Sequence, residues 1–198
     1  MIHDLDKTLE ILLSHELPPE LVGQISISFA APDDQFPPST VTTPAIDLFL
    51  YDVRENRELR EMEWLVERGS GGQLNRLRAP LRIDCSYLIT AWPSESSNNP
   101  VEDEHRLLGV VMLALLRHPT LPVGILQGSL QGQEPQLPTT MLQPGRLQSL
   151  AEFWQALGGK PKAALNYTVT LGVQVHQPEE VGMVVEKIIK FKQGPEAK

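Results

Sequence analysis

The chain has 198 residues, a mass of 22.1 kDa, and 25 acidic against 17 basic side chains, which gives a formal net charge of −8. This length suits one domain, or one domain with a small appendage. Binding to nucleic acid or to an anionic membrane surface requires clustered Lys and Arg, so both are poor fits to this composition. The 17 prolines exceed the usual share of about 5% and exclude a long coiled coil.

The acidity is concentrated in the first third of the chain. Residues 1–63 carry 13 acidic and 4 basic side chains, a net of −9, whereas residues 64–198 carry 12 and 13, a net of +1. Each molecule is therefore polarised in charge along its sequence.

Cys85 is the single cysteine, which excludes an internal disulfide and a CxxC metal or redox pair. It lies in an apolar strand pattern and is interpreted as a core residue rather than a nucleophile. The N-terminal segment has acidic residues within its apolar pattern, unlike a secretory signal peptide, and no stretch approaches the roughly 20 apolar residues of a membrane span. We therefore expect assembly in the cytoplasm.

Periodicity predicts the elements of the first half of the chain. Apolar residues at helical spacing predict an amphipathic helix over residues 2–16. Period-2 alternation predicts strands over 24–29, 46–53 and 80–92. Four prolines predict a loop over 30–45, between the first two strands.

In the second half, residues 102–118 predict a helix that is apolar almost all round. We take it as the central helix, buried in its own fold or in an oligomer. A short strand near 125–130, a short helix over 147–157 and a strand over 166–175 follow. For the tail that begins at 181, periodicity does not distinguish a helix from an edge strand.

The order of these elements predicts an α+β fold. It combines a mainly antiparallel sheet, a buried central helix and an N-terminal amphipathic helix, and it does not alternate as a doubly wound α/β fold would. We expect a single domain over residues 1–178 and a C-terminal tail over 179–198 as an interaction segment.

Arg54, Arg57 and Arg60 are each followed by a Glu in the segment RENRELRE. The simpler interpretation is a solvated turn whose charges neutralise one another. The alternative is a charged docking patch, and we therefore carry the three arginines as candidate interface residues.

The sequence predicts no catalytic residue, no metal site and no cofactor. Its five histidines form no HxxxH or HExxH pair, and the phosphate-binding loop, the dinucleotide fingerprint and the nucleophile elbow are all missing. Glu102 and His105 have the i, i+3 spacing of di-iron bundles, but the second such pair is missing. We therefore expect a protein that is not an enzyme.

Three motifs in order resemble a known family. They are an Asn-x-x-Leu-Arg turn at residues 56–60, a strand with the pattern x-Tyr-Leu-hydrophobic-Thr at 86–90, and an acid-rich helix containing His-Arg-Leu-Leu-Gly at 105–109. Over about residues 3–176 the chain resembles the N-terminal domain of the cap, or tail-terminator, proteins of phage-tail-like contractile injection systems.

The resemblance implies a structural protein without an active site. It would form a hexameric ring at the distal end of the tube and sheath and stop their polymerisation, with itself, the sheath protein and the inner tube protein as partners. The particle would be released or membrane-anchored, with no membrane insertion by this protein.

In related assemblies, strands donated between neighbours link the sheath subunits, so the tail from residue 181 to 192 is a candidate donor strand. The alternative is an ordinary terminal helix or strand of the domain itself. The candidate interface residues of the tail are Val184, Val185, Lys187, Ile188, Ile189, Lys190 and Lys192.

Two other classes of function remain open. One is a monomeric adaptor or peptide-binding domain that uses the exposed face of the strand over 46–53. The other is an enzyme with an active site dispersed along the chain, which a pocket of convergent acids would indicate.

Overall fold

A computed structural model describes residues 1–68, 74–133, 135–143 and 149–181. The described residues divide into two compact units, a larger one within residues 1–60 and 81–173 and a smaller one formed by residues 61–68, 74–80 and 174–181. The elements in chain order are α1 (Ile2–Glu16), β1 (Ser26–Ser28), β2 (Ala45–Glu55), β3 (Trp64–Arg68), β4 (Leu74–Arg78), β5 (Leu81–Trp92), α2 (Pro100–Leu116), β6 (Thr139–Met141), α3 (Leu150–Ala156), β7 (Leu165–Val173) and β8 (Glu179–Val181).

The larger unit contains a five-stranded sheet in the order β1-β2-β5-β7-β6. β1 runs parallel to β2, and the other three pairings are antiparallel. The register of β2 on β5 shifts between Leu50 and Asp52, which is a β-bulge. Because side chains alternate along each strand, this register places apolar residues on one face and polar residues on the other.

The apolar face shares one core with α1 and α2. From α1, the side chains of Leu5, Leu9, Leu12 and Leu13 are buried, as the predicted amphipathic pattern requires. Each fully buried leucine stabilises the fold by roughly 1.5–3 kcal/mol relative to an exposed one. Cys85 and Tyr87 of β5 are fully buried in the same core, so the interpretation of Cys85 as a core residue is confirmed.

The central helix α2 buries one face only within the described part of the chain. Val111, Ala114 and Leu115 are buried, whereas Leu113 is 56% and Leu116 is 49% exposed. The helix therefore packs in its own fold along one face and presents two leucines on another.

The short helix α3 begins at Ser149, whose side-chain oxygen accepts a hydrogen bond from the backbone N–H of Glu152. This is the N-cap arrangement that satisfies one free donor of a helix start. Phe153 of α3 contacts Phe49 of β2 with ring centroids 6.1 Å apart, so α3 lies against the polar face of the sheet at one end. Trp154 is 1% exposed.

The smaller unit is a three-stranded antiparallel sheet in the order β3-β4-β8. The guanidinium groups of Arg76 and Arg78 lie 4.4 and 4.9 Å from the ring centroid of Trp64 on the neighbouring strand. Arg76 also donates to the carboxylate of Glu179 on β8, with an Nη2–Oε2 distance of 2.7 Å. Two cation–π contacts thus connect β3 to β4, and one ion pair connects β4 to β8.

The α+β fold with mostly antiparallel strands is confirmed. The strand predicted near residues 125–130 is wrong, because two 3-10 turns, Val123–Ile125 and Gly128–Leu130, occupy this segment. Gly128 has a φ of +52°, and the backbone N–H of Ser129 donates to Asp4 rather than to a strand. β3 and β4 were not predicted. The single domain over 1–178 stays a prediction.

Over the residues that the structure describes, none of the helices has both the length and the apolar character needed to cross a bilayer.

Candidate functional site

A cavity of about 490 Å³ opens on the polar face of the five-stranded sheet. Its walls are side chains of β2, β5, β6 and β7 together with the turn that follows β2. The lining includes Tyr51, Asn56, Asp84, Thr140, Asn166 and Thr170. This volume falls within the range of about 300–1,000 Å³ that is typical of ligand pockets.

Strand register brings these polar groups together. Asp84 faces Thr170 and Ser86 faces Thr168 across the β5–β7 pair. The hydroxyl oxygens of Ser86 and Thr168 are 3.0 Å apart, within hydrogen-bond distance. Tyr51 of β2 donates its hydroxyl to Oδ1 of Asn166 at 3.1 Å, across the intervening strand β5.

Asp84 is the buried charge of this cavity, with 6% of its surface exposed. Its carboxylate accepts hydrogen bonds from Thr170 Oγ1 at 2.7 Å and from Asn56 Nδ2, which lies 3.1 Å from both oxygens. Both donors are neutral, and the buried carboxyl group borders an open volume.

Asn56 also fixes the turn that follows β2. Its Oδ1 accepts hydrogen bonds from the backbone N–H groups of Glu58 and Leu59, both at 3.1 Å. Its own backbone N–H donates to the carbonyl of Arg82 at 2.7 Å. One side chain thus shapes the turn and connects it to Asp84, an arrangement typical of Asn in turns.

The structure places the three candidate arginines at this turn, but not in the cavity. Arg54 is the next-to-last residue of β2 and donates from Nη2 to Oδ1 of Asp52 at 2.8 Å. Arg60 lies 3.6 Å from the carboxylate of Glu55, and Arg57 is exposed. Two of the three therefore have intramolecular acidic partners, as the interpretation of a self-neutralising turn expects. Their role as interface residues stays a prediction.

The candidate tail residues lie outside the described part of the chain; they are Val184, Val185, Lys187, Ile188, Ile189, Lys190 and Lys192. Residue Val181, where the tail begins, belongs to β8 and pairs with Leu74 of β4. The first residue of the tail thus adds to the small sheet of its own chain.

An aromatic cleft of about 360 Å³ lies at the other end of the polar face. Phe36 and Trp92 are in ring contact with centroids 4.3 Å apart. The ammonium of Lys162 lies 4.3 Å from the Trp92 ring centroid and 2.6 Å from Oε2 of Glu104. The cleft is built mainly from loop residues, so strand and helix periodicity did not predict it.

Burial raises the pKa of two ionisable side chains of the sheet, Cys85 and Asp47. Desolvation raises the pKa of the Cys85 thiol to about 11, so this group is a poor nucleophile. Desolvation also raises the pKa of the Asp47 carboxyl to about 7, while the neighbouring Ser28 hydroxyl acts in the opposite direction. Asp47 is completely buried on β2, at a distance along the strand from the polar cavity.

Within the described ranges, no three His, Cys, Asp or Glu side chains come together in a way that could hold a metal ion. The acids of the polar cavity are Asp84 and Glu58.

Among the solved structures that this chain resembles are two proteins of contractile injection systems. The chain aligns over its whole length with a sheath/tube terminator of an extracellular contractile injection system, PVC, in the extended state, with a TM-score of 0.70 and 25% identity. It aligns over 96% of its length with the tube-terminating cap of the anti-feeding prophage, with a TM-score of 0.65 and 24% identity. It covers 65% and 62% of those chains, less than two thirds of either.

Comparison with curated protein sequences gives no match. The family model described as the Pvc16 N-terminal domain matches residues 4–187, which is most of the chain. The resemblance inferred from the three sequence motifs is thereby confirmed, and the chain belongs to the Pvc16 N-terminal domain family.

Proposed function

We propose that this chain acts in the cap of a contractile injection system, where it closes the distal end of the tube and sheath and terminates their polymerisation. The observation that carries the proposal is the family match over residues 4–187. The fold shared with a sheath/tube terminator over the whole chain adds support. In this role the protein has sheath and inner tube proteins as partners and performs no catalysis.

The cap is proposed to be a hexameric ring. A ring of identical subunits uses a heterologous interface, in which two different surfaces of the chain meet. The exposed leucines of α2, Leu113 and Leu116, are of the kind that such an interface buries. With a formal charge of −8 per subunit, the ring would favour basic surfaces on its partners and disfavour stacking of cap on cap.

The charged turn and the tail are the proposed contacts with sheath and tube. Arg54, Arg57 and Arg60 lie at one exposed end of β2 and its turn. The residues after Val181 are proposed to add as a strand to a sheet edge of a neighbour. Assembly is proposed to take place in the cytoplasm, before release or anchoring of the particle.

Electron microscopy of particles from a strain without this protein tests the proposal. We expect tubes and sheaths of uncontrolled length, or no assembled particles. Complementation with the intact chain should restore a fixed length. Particles of normal, fixed length in the deletion strain would refute the capping role.

Light scattering coupled to size-exclusion chromatography tests the ring separately. A hexamer at micromolar concentration, or one that forms on added tube or sheath, is expected. A chain that stays monomeric under both conditions supports the adaptor alternative instead.

Truncation after Val181 tests the tail, because it retains β8 and its pairing with β4. The truncated chain should remain folded and fail to cap. Normal capping by the truncated chain would show that the residues after Val181 are not required for capping.

A further inference from the structure

The polar cavity contains an electrostatic imbalance. Asp84 is only 6% exposed, and it lines an open volume of about 490 Å³. Its hydrogen-bond donors, Asn56 and Thr170, are both neutral. The hydrogen bonds to this carboxylate therefore come from groups that carry no charge.

No cation lies within ion-pair distance of this carboxylate in the described part of the chain. Arg54, which faces Asp84 across the β2–β5 pair, donates to Asp52, and its charge acts on Asp84 only from beyond contact distance, as a minor cause of the raised pKa of the Arg54 guanidinium. Buried carboxylates in proteins are nearly always paired with a positive charge. The absence of such a contact at Asp84 therefore suggests that a positively charged group of another molecule can bind there.

The polar groups in the rest of the lining can accept hydrogen bonds as well as donate them. Thr140 and Thr168 contribute hydroxyl oxygens, and Asn166 and Gln143 contribute amide oxygens. Glu58 adds a second carboxylate from an exposed position in the turn. Among the described residues, neither Lys, Arg nor His lines the cavity. A positively charged group with several donors would therefore meet acceptors on several sides.

We propose that this cavity binds an arginine side chain presented by an extended segment of a partner protein. A guanidinium offers five N–H donors in a planar fork and remains charged at every physiological pH. It can pair with Asp84 while its remaining donors reach the hydroxyl and amide oxygens of the lining. A lysine ammonium supplies the charge but not the fork, so it should bind more weakly.

The size of the cavity favours a peptide over a free small cation. A volume of about 490 Å³ is typical of sites for whole ligands and exceeds the space that one side chain fills. The remaining volume accommodates the residues that flank the arginine. Their backbone groups can form hydrogen bonds to Thr140 and Gln143 of the lining. A neutral polyol would fill the same volume but leave the charge of Asp84 uncompensated.

Side-chain amides of the lining allow a direct test. In a ¹H–¹⁵N NMR titration, an acetylated Ala-Arg-Ala amide peptide should shift the NH₂ signals of Asn56, Asn166 and Gln143 in the millimolar range. The same peptide with citrulline, which is neutral and nearly isosteric, should bind about tenfold more weakly or worse, as expected when one charge-assisted hydrogen bond is lost. The lysine peptide should fall between the two.

Two variants identify the residue responsible. Asp84→Asn removes the charge and retains the shape, and should abolish the preference for arginine over citrulline. Thr140→Arg keeps Asp84 and introduces a guanidinium at the cavity wall, so it should block the peptide even if the first variant folds poorly. Glu102→Gln on α2 is the matched control, since its side chain is 67% exposed and lies outside the cavity.

Equal shifts with arginine and citrulline peptides would overturn the proposal, as would stronger binding of a neutral trisaccharide such as maltotriose. Unchanged arginine binding in Asp84→Asn or in Thr140→Arg would also overturn it. The titration uses the isolated chain, so its result does not depend on whether the protein caps particles.

Discussion

Asp4 of α1 accepts two hydrogen bonds from Ser129, one from its backbone N–H at 3.1 Å and one from its hydroxyl at 2.7 Å. The hydroxyl of Ser129 and the N-terminal ammonium hold the pKa of Asp4 well below its usual range. This contact joins residues 125 positions apart and holds the 3-10 turn Gly128–Leu130 against the first helix.

Gly128 should not tolerate a side chain. A Cβ at this position would overlap the carboxylate of Asp4, and its φ of +52° is a conformation that L-residues rarely adopt. Gly128→Ala should therefore lower the free energy of unfolding by about 2 kcal/mol or more, through displacement of Asp4 together with backbone strain. Thermal and urea denaturation measure the change.

Substitutions at two other glycines separate the effect of backbone strain from the effect of displacing Asp4. Gly132 has a φ of +71° but open space where a Cβ would lie, and Gly124 has open space without a positive φ. Gly132→Ala should show the cost of the backbone conformation alone, about 1 kcal/mol, and Gly124→Ala should be close to neutral. If all three variants were equally stable, the contact between Asp4 and Ser129 would not constrain the turn.

Asp47 should make the protein less stable as the pH rises from about 4 to about 7. Its pKa is about 7 in the folded chain because it is desolvated, against an ordinary value of 3.8. Between these values the unfolded chain has released the proton that the folded chain retains, so rising pH favours unfolding by up to about 4 kcal/mol in total. Below pH 4 the contribution is fully present, and above pH 7 the dependence levels off.

Urea denaturation of the wild type and of Asp47→Asn at several pH values isolates this contribution. The variant should gain stability relative to the wild type as the pH rises, because an amide does not ionise. Glu102→Gln, at an exposed position, should parallel the wild type. Parallel curves for Asp47→Asn and the wild type would mean that Asp47 is already ionised in the fold at neutral pH.

Tyr87 and Asp6 form a second connection between α1 and the sheet. The fully buried Tyr87 donates its hydroxyl to Oδ1 of Asp6 at 2.7 Å, and burial together with this bond raises the pKa of the tyrosine. Tyr87→Phe should cost about 1–2 kcal/mol, since a hydrogen bond to a charged acceptor is lost. In a double-mutant cycle with Asp6→Asn, the two losses should not add. Additive losses would show that the pair is not coupled.

Sequence periodicity predicted four of the five strands of the larger sheet, β1, β2, β5 and β7 but not β6, because apolar and polar residues alternate along these four. β5 alternates the apolar core residues Cys85, Tyr87 and Ile89 with residues such as Asp84 and Ser86 of the opposite face, which other elements also bury. The motifs at the turn, the strand and the helix were likewise local, so they identified the family without knowledge of the tertiary structure.

The small sheet was missed because it has no comparable buried face. Val66 of β3 is 62% exposed, and β4 carries Arg76 and Arg78. Its stabilising contacts are the arginines on Trp64 and the ion pair of Arg76 with Glu179, which is 103 residues away. Contacts between residues so distant in sequence leave no local period to detect.

The sequence predicted only part of the polar cavity. Alternation placed Asp84 and Ser86 on the polar side of β5, but the contact that defines the site is between Asp84 and Asn56, which depends on how the turn after β2 folds back. Turn composition predicts that a turn exists, not which strand it returns to.

Lys162 should stabilise the aromatic cleft through its charge. Its ammonium is 2.6 Å from Glu104 and 4.3 Å from the Trp92 ring centroid, and the side chains of Lys162 and Glu104 are only 14% and 17% exposed. Lys162→Met should cost about 2 kcal/mol, because it removes the cation–π contact and leaves a largely buried carboxylate unpaired. Adding Glu104→Gln should recover part of this loss, since no unpaired charge then remains.

Lys160→Met, at a neighbouring exposed position, is the matched control and should change the stability by no more than about 0.5 kcal/mol. Differential scanning calorimetry of the four proteins measures these differences, and equal melting temperatures for Lys162→Met and Lys160→Met would show that the ion pair contributes nothing to the fold.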